Sequence, residues 1–91
     1  MDDYIIVKQK YLNLIDEGFN YGEILLYCVI LSYYENSQDC FISNDRFASM
    51  FHTSKRNIQL WLKKLKENNL IKYEYDNDRR YLVPIKKSNI R

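Results

Sequence analysis

Residue types that break chains, bind metals or form disulfides are scarce in this sequence. Among 91 residues there are two glycines, one proline, two cysteines and one histidine. A chain this short, with so few interruptions, is expected to form one domain over residues 1–91. No apolar run approaches the length of a membrane span, and the acidic start "MDDYIIVKQK" is unlike a secretory signal. We therefore expect a soluble protein of the cytoplasm.

The same scarcity argues against catalysis and metal binding. Cys28 and Cys40 are twelve positions apart, without the closely spaced ligands that a zinc site needs. Both are expected to stay reduced and to act as small apolar side chains. His52 is the only histidine, there is no glycine-rich phosphate loop, and the carboxylates are scattered. The prediction is a protein that is not an enzyme and that has no cofactor and no metal.

The charges are divided unevenly between the two halves of the chain. The net charge is +2, but residues 1–50 carry three Lys and Arg against eight Asp and Glu, whereas residues 51–91 carry eleven against four. The first half is therefore at −5 and the second at +7. A strongly basic segment points to a polyanionic partner such as nucleic acid.

Hydrophobic periodicity and capping residues divide the chain into six segments. They are an N-terminal arm (1–19), a first helix (20–36), a second helix (43–51), a third helix (54–68), a β-hairpin (70–85) and a basic tail (86–91). Asn20 and Glu23 form a capping box at the start of the first helix, and Ser43 is the expected N-cap of the second. Within the arm we expect a strand over Tyr4–Val7 and a helical turn that ends at Gly18.

The three helices differ in how their apolar residues are arranged. The first is apolar on nearly all sides, so the arm or a second subunit must cover it. The second is expected to bury Phe47, Met50 and Phe51. The third buries one face, which consists of Ile58, Trp61, Leu62 and Leu65.

The opposite side of the third helix is polar and mostly cationic. It consists of Arg56, Leu60, Lys63 and Glu67, flanked by Asn57, Gln59 and Lys64. Arginine pairs with guanine through two hydrogen bonds, asparagine and glutamine pair with adenine in the same way, and an apolar side chain can contact a thymine methyl group. Lysine and serine commonly bind phosphates. These are the side chains that base recognition in the major groove uses.

The order of the segments is that of a winged helix-turn-helix. The predicted fold class is α+β and mainly helical, with a three-helix core and a C-terminal β-hairpin as the wing. In this fold the second helix supports the third, and the third fits the major groove of duplex DNA. The hairpin can reach the adjacent backbone or the minor groove.

The stretch "NDRFASMFHTSKRNIQLWLKKLKENNLI" resembles the helix-turn-helix core of winged-helix domains at the N-terminus of plasmid and phage replication initiators. The positions that carry the resemblance are Phe47, Ala48, Ser54, Arg56, Ile58, Gln59, Trp61, Leu62, Leu65, Leu70 and Ile71. The stretch "GEILLYCVILSYY" is similar to the first helix of that group, so the resemblance covers residues 4–85. His52 and Asn69 stand where such sequences often have glycine, and both residue types tolerate positive φ.

The resemblance implies a set of DNA contacts. They are Ser54, Lys55, Arg56, Asn57, Gln59, Leu60, Lys63 and Lys64 in the third helix, Ser43 and Asn44 at the start of the second, and Arg79 and Arg80 in the wing. Ser43 and Asn44 would lie where a helix start meets a phosphate. Asp76 and Asp78, at the hairpin tip, oppose a wing contact because acids repel phosphate.

Other functions stay open at this point. Transcriptional regulators share nearly all of the motif, so replication initiation rests on the resemblance alone. Nine tyrosines suit a winged helix that binds proteins instead, and Tyr73, Tyr75 or Tyr81 could stack on single-stranded bases. The apolar first helix favours a homodimer, which would present two third helices to a palindromic or repeated site. Frequent Tyr, Asn, Ile and Lys would fit an AT-rich bacterial mobile element.

Overall fold

The predicted helices and hairpin are present in the structure, a computed structural model that describes residues 9–85. The elements are α1 (Gln9–Leu12), a 3₁₀ turn (Asn13–Glu17), α2 (Tyr21–Glu35), α3 (Asn44–Met50), α4 (Lys55–Glu67), β1 (Ile71–Asp76) and β2 (Arg79–Pro84). This is the predicted α+β, mainly helical winged helix-turn-helix, with α2, α3 and α4 as its three-helix core. The strand expected over Tyr4–Val7 and the tail over 86–91 lie outside the described residues.

Side chains that the sequence identifies fix where the helices begin. Asn20 Oδ1 accepts a hydrogen bond from Glu23 N–H, and Glu23 Oε1 accepts one from Asn20 N–H, each at 2.8 Å. The predicted capping box is thereby confirmed. Ser43 and Ser54 each accept from the backbone N–H three residues on, at 3.1 Å. Gly18 ends the 3₁₀ turn at φ +94°, a left-handed conformation that suits glycine.

The core lies where α2 packs against α4 and the hairpin. Its largest fully buried side chains are Ile24, Leu26, Ile30, Cys40, Phe47, Ile58, Leu62, Leu65 and Ile71. The predicted inner face of α4 is confirmed at Ile58, Leu62 and Leu65. Trp61 is only half-buried, although its indole lies over Gly22 of α2.

The predicted inner face of α3 is wrong at Met50. Phe47 is fully buried and Phe51 is half-buried, but Met50 is 43% exposed. Ala48 packs against the core in its place. At about 100° per residue, Phe47, Ala48 and Phe51 fall on one side of this short helix, and Met50 lies roughly 100° from the middle of that side.

Several elements pack against α2, because its apolar residues point to nearly all sides. Tyr11 of α1 packs edge-on against Tyr27, with ring centroids 5.6 Å apart. The arm therefore supplies part of the cover that the sequence predicts. Tyr21, Leu25 and Tyr34 remain exposed. At about 100° per residue, Tyr21 and Leu25 share one side of α2 and Tyr34 lies on the opposite side, so apolar surface is open to solvent at two separate places.

The wing is a tight two-stranded hairpin. β1 and β2 pair antiparallel, and Asp76 lies opposite Arg79 next to the turn. The turn residues Asn77 and Asp78 have φ values of 52° and 75°, the two positive angles of a type I′ turn. Asn69, which leads from α4 towards β1, has φ of 61°, so its predicted left-handed conformation is confirmed.

Both cysteines are free and buried, as predicted. The carbonyl of Cys40 accepts a hydrogen bond from Leu82 N–H at 3.0 Å, which adds a single bridge to the outer edge of β2. Burial raises the pKa of the Cys40 thiol, so the reactive thiolate is disfavoured. Over residues 9–85, no helix is long and apolar enough to cross a membrane.

Candidate nucleic-acid interface

Local hydrogen bonds hold the turn between α3 and α4. His52 has φ of 52°, so the prediction that it takes a position favouring glycine is confirmed. Thr53 N–H donates to Ala48 O at 3.0 Å, and Asn57 Nδ2 donates to Thr53 Oγ1 at 2.8 Å. Ser54 caps α4 through the N–H of Asn57. Ser54 and Asn57 therefore stabilise the turn that sets the direction of α4.

The outer face of α4 is open and carries the predicted base-contacting side chains. Arg56, Gln59, Leu60 and Lys63 are all exposed. Arg56, Leu60 and Lys63 lie on the side of the helix that faces away from the buried leucines, and Gln59 lies at the edge of that side. Within residues 9–85, the side chains of Arg56 and Gln59 have neither a hydrogen-bond nor an ion-pair partner. Leu60 is 49% exposed. We call Arg56, Gln59, Leu60 and Lys63 the outer face.

Weak ion pairs at the edges of α4 leave its lysines available. Lys55 Nζ lies 3.6 Å from Asp45 Oδ1 of α3, and Lys63 Nζ lies 4.0 Å from Glu67 Oε2 one turn further along. All four side chains are more than half exposed, and pairs of this kind contribute at most about 1 kcal/mol. A phosphate could replace either carboxylate at little cost.

Lys64, predicted to flank the outer side of α4, lies on the flank that faces the first turn of α2. Its Nζ lies 3.2 Å from Glu23 Oε1 and 4.9 Å from the centre of the Phe19 ring, and it also donates to Gly18 O. The Lys64 side chain is 38% exposed, whereas that of Glu23 is 6% exposed. The reason is that the first turn of α2 approaches this flank and brings a buried carboxylate to it.

The two wing arginines have different positions. Arg80 Nη1 donates to Asn44 Oδ1 at 2.9 Å, and Arg80 Nη2 donates to Ile42 O at 2.8 Å. Arg80 therefore ties the hairpin to the start of α3. Arg79 is exposed and lies over Phe41, with Cζ 4.1 Å from the ring centre. Ser43, the N-cap of α3, is also exposed beside this junction.

Sequence reasoning missed Lys66. It projects from the flank of α4 that faces the wing, and its Nζ lies 4.7 Å from the centre of the Tyr73 ring. The guanidinium of Arg80 lies 5.5 Å from the same centre. Counting about 100° per residue places Lys66 beside Gln59 on the helix, so this position was available from the sequence.

The tyrosines proposed to stack on single-stranded bases are unequally open. Tyr73 is half-buried beside two cations, and burial raises its pKa. Tyr81 packs against Phe41, with ring centroids 5.2 Å apart. Tyr75 is 64% exposed. Stacking of successive bases requires several exposed aromatic rings, and of these three tyrosines only Tyr75 is exposed.

The sequence of the three-helix core matches a known family. A family model described as a helix-turn-helix domain matches residues 20–71. The chain belongs to this family. The match includes α2, α3 and α4 and ends where β1 begins, so it covers the turn and the outer face. No curated protein and no solved structure matches the chain. Family and fold together indicate a DNA-binding helix-turn-helix domain.

Proposed function

We propose that this domain binds duplex DNA and recognises its sequence with the outer face of α4. One observation carries the proposal. The side chains of Arg56 and Gln59 are exposed and, within residues 9–85, have no hydrogen-bond or ion-pair partner. Arginine and glutamine offer the hydrogen bonds that distinguish guanine and adenine in the major groove. Leu60 adds an apolar contact that suits a thymine methyl group.

Phosphate contacts would position this face on the duplex. Lys55 and Lys63 lie at its two ends, and their exposed ion pairs can exchange for phosphates. Arg79 and Lys66 extend the basic surface towards the wing. The domain acts as a binding module without catalysis, and the cytoplasm is its proposed location.

The proposed biological role is replication initiation or regulation on a bacterial plasmid, phage or other mobile element. The resemblance of α3 and α4 to replication initiators supports the first role, and the sharing of this motif with transcriptional regulators supports the second. Mapping the bound sites in the DNA of the source organism separates them, because an initiator occupies a replication origin and a regulator occupies promoters.

We also propose that the protein binds DNA as a homodimer. Tyr21 and Leu25 support this, since they are exposed on the same side of α2 and otherwise face water. A two-fold dimer would place two α4 helices on a palindromic or repeated site. Sedimentation of the DNA-free protein at high concentration tests the dimer, and a monomer at all concentrations would remove it.

Selection from random duplex oligonucleotides, followed by two substitutions, tests the DNA-binding proposal. The Arg56→Ala variant should lose ~1–3 kcal/mol of binding free energy on the selected site and relax the choice at one base position. The Lys63→Ala variant is the matched control, since it removes one charge from the same face. It should weaken all duplexes alike and lower the salt slope by about one unit.

The outcomes separate three functions. Equal losses on every sequence for both variants would mean that α4 holds DNA by charge alone. No loss for either variant, or no salt-dependent binding by the unmodified protein, would reject duplex binding and favour a protein-interaction domain. Stronger competition by unpaired oligonucleotides than by duplex would instead favour single-strand binding.

A further inference from the structure

The first turn of α2 and one flank of α4 are in close contact at Gly22 and Trp61. A Cβ added to Gly22 would lie 2.5 Å from Cη2 of Trp61 and 2.7 Å from its Cζ2. The indole therefore rests directly on the α2 backbone. Trp61 also packs against Phe51, with ring centroids 6.1 Å apart, so the ring is held on a second side.

Glu23, the next residue of α2, adds an electrostatic contact to the same flank. It is the one charged side chain classed as buried among the described residues. One of its oxygens accepts from Asn20 N–H at 2.8 Å and lies 3.2 Å from Lys64 Nζ. A carboxylate removed from water in this way requires its counter-charge, because losing one partner leaves the other uncompensated.

The ammonium group of Lys64 has three partners within the domain, although the side chain is 38% exposed. The group contacts a carboxylate, the Gly18 carbonyl and the face of the Phe19 ring. To reach a DNA phosphate, Lys64 would have to leave all three and strand the Glu23 carboxylate. Its charge therefore contributes to the contact between α2 and α4.

We propose that Glu23 and Lys64 are positioning residues that set the rotation of α4 and so aim its outer face at the bases. Trp61 and Lys64 are three residues apart and lie on the same flank, so the two contacts with α2 fix the helix against rolling. The inference rests on the proposed function of α4 in base recognition. It assigns Lys64 a role different from phosphate binding.

The test compares Lys64→Met with Lys63→Met. Both variants lose one positive charge at adjacent positions of α4 and keep a long apolar stem, but only Lys64 contacts α2. Trp61 is the only tryptophan, so its fluorescence reports on this contact without DNA. Lys64→Met should shift the emission and lower Tm by roughly 4–8 °C, and Lys63→Met should change neither.

DNA binding supplies the second readout, at a temperature where all variants are folded. Affinity is measured for the selected duplex and for a scrambled duplex of the same composition. Lys64→Met should lower the ratio of the two affinities about fivefold or more, because misaimed side chains lose base contacts. It should leave the salt slope of scrambled-duplex binding unchanged. A merely structural role would lower Tm without changing this ratio.

Two further variants keep the test decisive. Lys64→Arg retains the charge and should restore most of the ratio, and Glu23→Gln should reproduce the loss without changing any cation. If Lys64→Met does not fold, Glu23→Gln gives the same comparison. The proposal is overturned if Lys64→Met lowers the salt slope by one unit and leaves Trp61 emission unchanged. If the unmodified protein binds no duplex, the proposed function fails, and the fluorescence and Tm comparison still decides whether this pair fixes α4.

Discussion

α2 and α4 have similar lengths but differ in how their apolar residues are distributed around the helix. α2 has 15 residues, is apolar on nearly every side and is buried from Glu23 to Ile30 except at Leu25. α4 has 13 residues and separates a buried face from a cationic one. α2 therefore serves as the centre around which other elements pack, whereas α4 contributes one face to that centre and leaves the other exposed.

The difference shows what an apolar pattern can determine. On α4 the pattern identifies the inward side, because a polar residue there would lose hydration. On α2 the pattern identifies no side, and the neighbours decide which residues are covered. The exposed Leu25 and the buried Leu26 are chemically identical and adjacent, and only the surrounding fold separates them.

The largest expected effect comes from the buried side of α4. Leu65→Ala should lower the free energy of unfolding by ~2–5 kcal/mol, because a fully buried leucine leaves a cavity. Urea denaturation measures the change. Leu60→Ala, on the outer face of the same helix, is the control and should cost less than about 1 kcal/mol. A loss below about 1 kcal/mol for Leu65→Ala would contradict the two-sided design of α4.

A smaller effect is expected where the two helices touch. Gly22→Ala should destabilise the protein by ~1–3 kcal/mol, since the new methyl group would enter the space of the Trp61 indole. Helix propensity alone predicts the opposite sign, a gain of about 1 kcal/mol. Denaturation curves for Gly22→Ala in the native and Trp61→Leu backgrounds provide the check. A net gain in the native background would show that α2 and α4 are further apart.

Much of the fold could be predicted because its signals are local. The caps at Asn20, Ser43 and Ser54 each act over three residues, and the left-handed positions at His52 and Asn69 are properties of single residues. The buried face of α4 follows from helical spacing alone. These parts of the structure require no knowledge of which elements meet.

Apart from Met50, whose place on α3 follows from helical spacing, what the sequence did not predict concerns contacts between distant segments. Lys64 and Gly18 are 46 positions apart, and Arg80 and Asn44 are 36 apart. A helical projection gives the angle of Lys64 but not the approach of a buried carboxylate to that flank. Lys66 is different, because helical spacing already places it beside Gln59, and only its contact with Tyr73 depends on the wing. The roles of the outer-face residues in DNA binding stay predictions.

The covered side of α2 should respond to alkaline pH. Burial, with smaller effects of Tyr11 and Cys28, raises the pKa of Tyr27 to about 12. The neutral phenol is thus favoured in the folded protein, and its contribution to stability is present below pH 10 and is lost as pH rises towards 12. At pH 11 the loss should reach about 1.4 kcal/mol. Tyr27→Phe should show a smaller decrease in unfolding free energy between pH 8 and pH 11, and an equal decrease would contradict the assignment.

The smallest effects on stability, and the sharpest comparison of the two helices, should come from their exposed leucines. Leu25 of α2 is 39% exposed and Leu60 of α4 is 49% exposed, so either change to alanine should cost less than about 1 kcal/mol of folding free energy. Their effects on binding should differ. Leu25→Ala should weaken the proposed homodimer in sedimentation and leave the preference among single half-sites intact, because α2 does not face the bases. Leu60→Ala should leave the dimer intact and reduce discrimination at a thymine of the selected site, because it removes an apolar contact with the base methyl. If both variants weaken the dimer and spare DNA recognition, the outer face of α4 is a protein interface, and the contrast drawn between the two helices is lost.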